Sequence, residues 1–65
     1  MIEFTVKDMT CGHCASTITK AVKVVDAGAA CEIDLEAHRV KIASAKPAGE
    51  FAESIRRAGY TPLAP

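Results

Sequence analysis

Hydrophobic and polar side chains alternate over residues 2–7, with Ile2, Phe4 and Val6 on one face and Glu3, Thr5 and Lys7 on the other. A period of two predicts a half-buried strand. The period breaks over Asp8 to His13, where Gly12 marks a loop. From Cys14 the spacing turns helical: Cys14, Ile18, Ala21, Val22 and Val25 share one face, and Thr17, Lys20 and Lys23 point outward. Asp26-Ala27-Gly28 stops that helix. Cys31, Ile33 and Leu35 then alternate with Glu32, Asp34 and Glu36, predicting a second strand with all three apolar side chains inward. A short turn at Ala37-His38 leads to a third strand with Val40 and Ile42 inward, so strands two and three form an antiparallel hairpin. Pro47 suits the first turn of a second helix, whose apolar stripe is Ala48, Phe51, Ile55 and Ala58. Gly59 reads as the residue that ends it, and Tyr60 to Leu63 as a short last strand that Pro62 confines to an edge.

The order strand, helix, strand, strand, helix, strand predicts an α+β, ferredoxin-like βαββαβ sandwich, with two helices on one face of a four-stranded antiparallel sheet. One domain over residues 1–65 accounts for the chain, since no linker or low-complexity stretch divides it.

Composition narrows the function. The apolar fraction is 49%, so a core is affordable, but a chain of 65 residues has little volume left for a deep substrate pocket. A non-enzymatic role with a site on a surface loop is the expectation. Residues 1–33 carry three basic and four acidic side chains, and residues 34–65 five and four. There is no basic tract for nucleic acid. No apolar run nears the ~18 residues of a membrane span, and no signal-peptide pattern opens the chain. A soluble, unexported protein is therefore expected.

The candidate chemistry is Cys11-Gly12-His13-Cys14, at the junction of strand one and helix one. Unpaired N–H groups and the positive end of the helix dipole favour anions there, so thiols ionise readily. Two thiolates at this spacing converge on one point and select soft ions; two sulfurs satisfy Cu(I) but leave Zn(II) short of four ligands. A structural zinc site would have to recruit Cys31 and His38. A dithiol oxidoreductase shares the spacing, but Gly12-His13 replaces the proline-containing pair usual in thioredoxins. A structural disulfide across two residues would close too small a loop to stabilise much. The residues themselves favour an exposed soft-metal site with room for an incoming ligand.

Met9-Thr10-Cys11-Gly12-His13-Cys14, followed by Cys31-Glu32-Ile33-Asp34-Leu35 and Ala58-Gly59-Tyr60, resembles the heavy-metal-associated domain, and within it the small bacterial copper chaperones of the Atx1-like type. The resemblance spans essentially the whole chain. It implies Cys11 and Cys14 as metal ligands, Met9 as an apolar anchor beneath the loop, and Tyr60 as an aromatic beside the metal; His13, from its place inside the motif, is a candidate secondary contributor alongside Tyr60. Thr10 stands where relatives tuned to divalent zinc or cadmium often carry Asp, which favours a monovalent ion. The implied cargo is Cu(I), with Au(I), Ag(I) and Hg(II) as alternatives. The implied partner is the metal-binding domain of a copper-transporting P-type ATPase in the cytoplasm, with a monomer when apo and a metal-bridged dimer left open. A gold- or mercury-responsive binding protein is the rival. Lys20 and Lys23 are candidates for docking an acidic partner face, Cys31 for the core, and His38 for a plain turn residue.

Overall fold

The computed structural model describes residues 2–63; Met1, Ala64 and Pro65, the two ends of the expected domain, lie outside it. Five elements follow in order: β1 (Ile2–Thr5), α1 (Gly12–Val25), β2 (Ala30–Asp34), β3 (Arg39–Ala43) and α2 (Ala48–Arg57). The sheet order is β1-β3-β2, with both outer strands antiparallel to the central one. β1 and β2 thus run parallel and α1 is the crossover between them, a split βαβ unit.

Pleat explains the core. Phe4 of β1 and Val40 and Ile42 of β3 face the helices, where Ile18 and Val22 of α1 and Phe51 and Ile55 of α2 meet them, all buried. The opposite face carries a charge ladder: Lys41 lies between Glu3 and Glu32, and Arg39 between Thr5 and Asp34. Two basic residues on the middle strand thus lie among three acidic ones, and the Arg39 guanidinium comes within 3.9 Å of Glu3. The Ser54 hydroxyl donates to the Ala21 carbonyl at 2.7 Å and ties the two helices together.

Three expectations need correction. The four-stranded sheet is not formed among the described residues: the chain after α2 makes a single bridge, Thr5 to Leu63, closed by two backbone hydrogen bonds of 2.7 and 2.8 Å. Thr61 gives its N–H to the Asp8 carboxylate at 3.3 Å, and Pro62 has none to give, so no ladder propagates from that bridge. Secondly, β2 stops at Asp34 and the hairpin turn is four residues, 35–38, not two. Asp34 Oδ1 accepts the Ala37 N–H at 3.1 Å and His38 takes φ 55°, a side-chain-stabilised turn that leaves Leu35 37% exposed instead of inward. Thirdly, α1 begins at Gly12, so His13 is helical, and Pro47 is the N-cap of α2, one place before its first turn.

The end of α2 is as the sequence predicts. Gly59 has φ 100°, its N–H bonds Arg56 O at 3.0 Å, and the Tyr60 N–H reaches back to Ile55 O at 3.2 Å. This pair of bonds is a Schellman motif, and it turns Tyr60 back onto the core edge.

Candidate metal centre

The loop between β1 and α1 is fastened from below and open above. Met9 is fully buried, its thioether inside the core, and its N–H bonds the Val6 carbonyl at 3.2 Å. Two residues on, Cys11 is the N-cap of α1, extended at φ −148° and ψ 168°, with its carbonyl taking the Ala15 N–H at 3.2 Å. Its side chain makes no capping bond, so the sulfur is not committed to the helix N–H groups. Cys14 follows in the first turn, half-buried against the core, while Cys11 is exposed. The two sulfurs stand 3.1 Å apart, and both thiols are free.

That separation is far above the ~2.0 Å of a disulfide bond. It is also short of what one bound ion needs: with metal–sulfur bonds of ~2.3 Å, a linear S–metal–S unit spans about 4.6 Å. Metal entry therefore has to part the sulfurs by more than an ångström. Cys11 is exposed at the junction of loop and helix, whereas Cys14 is half-buried inside α1.

The electrostatics single out Cys14. Its pKa falls from an ordinary 9.0 to about 6, first because the Tyr60 hydroxyl bonds its sulfur, then through the Cys11 thiol and the backbone of Thr10 and Cys11. The effect on Tyr60 is reciprocal: bonding to Cys14, desolvation and the nearby negative charges push its hydroxyl up to about 12. Tyr60 thus keeps its proton and donates it toward a thiolate.

Of the residues singled out by sequence, Cys11, Cys14 and Tyr60 are brought together and Met9 lies directly beneath. His13 is exposed in the first turn of α1, and its carbonyl accepts the Thr17 hydroxyl at 3.0 Å. Cys31 is distant. It pairs with Ile42, which pairs with Ile2, at the opposite end of β1 from the loop, and burial raises its pKa. Among the described residues no three His, Cys, Asp or Glu side chains converge as a metal cage. Lys20 and Lys23 are both exposed on α1, and the Lys23 ammonium also donates to the Ala29 carbonyl at 2.5 Å.

Two contributors escaped the sequence reading. Asp8 holds the Tyr60 segment to the loop through the Thr61 N–H. His38, expected to be a plain turn residue, places its Nδ1 3.0 Å from the Met9 carbonyl. No periodicity could flag either, since both act across long sequence separations.

The chain is a small α+β domain with a free Cys-x-x-Cys dithiol at a helix start. The heavy-metal-associated domain family matches residues 3–61, and the chain belongs to that family. Among solved structures, a trimeric form of a mutant copper chaperone Atx1 from Synechocystis PCC6803 superposes with a TM-score of 0.92 at 37% identity, over 95% of this chain and 98% of that one. A gold binding protein superposes at 0.94 and 32% identity over the full length of both chains. Protein Atu1203 from Agrobacterium tumefaciens is 43% identical over 94% of this chain and 95% of that one, with a TM-score of 0.84. No curated protein matches the chain. The fold is that of Atx1-like metal chaperones, with a Cys11–Cys14 pair in the loop ahead of α1. Among the described residues no helix is long and apolar enough to cross a membrane.

Proposed function

We propose that this chain is a cytoplasmic carrier that holds Cu(I) between Cys11 and Cys14 and passes it to a Cys-x-x-Cys domain of a copper-exporting P-type ATPase. The observation that carries this reading is the sulfur pair, 3.1 Å apart, with one thiol lowered to about 6 and the other exposed at a helix start. Two soft anionic ligands on an open loop suit a monovalent thiophilic ion. Free, exposed thiols suit a reducing compartment.

Transfer needs no redox chemistry. A two-coordinate ion accepts a third sulfur from the partner, whose thiol gives its proton to solvent. One host sulfur–metal bond then breaks, and the ion stays monovalent throughout. Exposed Cys11 is the side open to attack, and the Tyr60 hydroxyl stabilises Cys14 once it is released as a thiolate. The apo protein is a monomer in this reading, and metal-bridged association is a second use of the same open coordination.

Gold is the second reading, supported by the gold binding protein that superposes over the whole chain. Competition against a Cu(I) chelator under anaerobic conditions tests the first: one equivalent bound by the wild type and none by Cys11→Ser with Cys14→Ser is expected. Binding retained in that double variant would overturn it. Parallel titration with Au(I) separates the two readings, because a clear preference for Au(I) favours the second.

A further inference from the structure

Resting on the reading of Cys11 and Cys14 as ligands, we propose that His38 is a positioning residue of the metal loop, gripping residues 6–9 from the β2–β3 turn. The grip sets how Cys11 is presented to Cys14.

The hairpin comes to lie beside the metal loop through strand register. Thr5 pairs with Arg39, so His38 falls opposite Val6 where the ladder ends and the loop begins. There it makes two bonds to the loop. Its carbonyl accepts the Val6 N–H at 2.7 Å, and its Nδ1 bonds the Met9 carbonyl at 3.0 Å. A carbonyl only accepts, so Nδ1 is the donor and carries the proton. With the Met9 N–H bonded to Val6, both backbone polar groups of Met9 are satisfied, one within the loop and one by His38.

His38 is the one non-glycine residue with positive φ among the described residues, at 55°. Glycine would adopt that conformation without strain, and asparagine more readily than most residues. The imidazole supplies what glycine cannot, a donor that reaches the loop. Met9 then holds the loop twice, by a buried thioether and by a fixed carbonyl, immediately before Thr10 and Cys11. Cys14 needs no such support, being inside α1. The grip therefore acts on the ligand that precedes the first helical residue.

Three substitutions separate a positioning role from a structural one. His38→Gly relieves the backbone and removes the donor; His38→Ala removes the donor and keeps the strain; His38→Asn keeps both the left-handed backbone and a donor at the Nδ1 position. Anaerobic Cu(I) competition and backbone NMR order parameters of apo protein are the readouts. We expect His38→Gly and His38→Ala to weaken Cu(I) binding by about two- to tenfold, the scale of one hydrogen bond. Order parameters should drop at residues 9–11 and hold in α1, and His38→Asn should restore both. Wild-type affinity together with wild-type order at residues 9–11 in His38→Gly would overturn the proposal. If His38→Ala fails to fold, the glycine and asparagine variants still decide. Failure of the ligand reading looks different: Cys11→Ser with Cys14→Ser would bind Cu(I) unchanged, whatever the loop order parameters show.

Discussion

Replacing Tyr60 with Phe deletes one hydroxyl and leaves the ring to pack where it does now, which isolates the largest influence on the Cys14 thiol. Four bonds lower that thiol from 9.0 to about 6 against an opposing desolvation, and the Tyr60 hydroxyl is the strongest of the four. Without that hydroxyl the Cys14 thiol should titrate higher, back toward its ordinary range. At neutral pH the thiolate fraction of Cys14 should fall accordingly. Thiolate ultraviolet absorbance followed through a pH titration of reduced apo protein reads this directly, in a Cys31→Ser background that leaves only the loop pair. The first titration step should move upward by about one pH unit in Tyr60→Phe. Cys11→Ser should also move the remaining step upward, since the Cys11 thiol is the second influence. An unchanged first step in Tyr60→Phe would refute the assignment of Tyr60 as the donor that ionises Cys14.

The same shift makes apo stability pH-dependent. Cys14 binds its proton less tightly folded (about 6) than at its ordinary 9.0, so its contribution is fully present above pH 9 and lost as pH falls through 6. Urea midpoints of reduced apo protein should accordingly rise between those limits, with a smaller rise in Tyr60→Phe. Met9→Ala should cost about 2–5 kcal/mol of stability by emptying a fully buried site. Met9→Leu should cost under about 1.5 kcal/mol and keep wild-type Cu(I) affinity; a large loss of affinity there would make the thioether a ligand. Gly59→Ala should cost about 1–2 kcal/mol, because φ 100° lies where a Cβ is disfavoured. Because Tyr60 leaves the helix through that turn, the Cys14 titration should shift with it.

Much of this was readable from local pattern. The alternation of Ile2, Phe4 and Val6, the helical spacing from Cys14 to Val25 and the stop at Gly59 all express short-range rules, and the structure keeps them. The cysteine pair was legible for the same reason, since its chemistry depends on four consecutive residues. What was not legible depends on partners far along the chain. Leu35 continues the period of β2, yet the Asp34 side chain and the left-handed His38 end the strand before it. The last strand reduces to one bridge because Thr61 spends its N–H on Asp8, fifty-three residues away. His38 carries no pattern of its own, and its bond to Met9 follows from hairpin register alone.

In the proposed function Cys11 and Cys14 together hold a single soft monovalent ion on an open loop. Native mass spectrometry of anaerobic, reduced protein titrated with Cu(I) tests it most directly, comparing wild type, Cys31→Ser, and Cys11→Ser with Cys14→Ser. One copper per chain in the first two and none in the third is the predicted result. A copper ion retained without the loop cysteines, or lost on removing Cys31 alone, would contradict it.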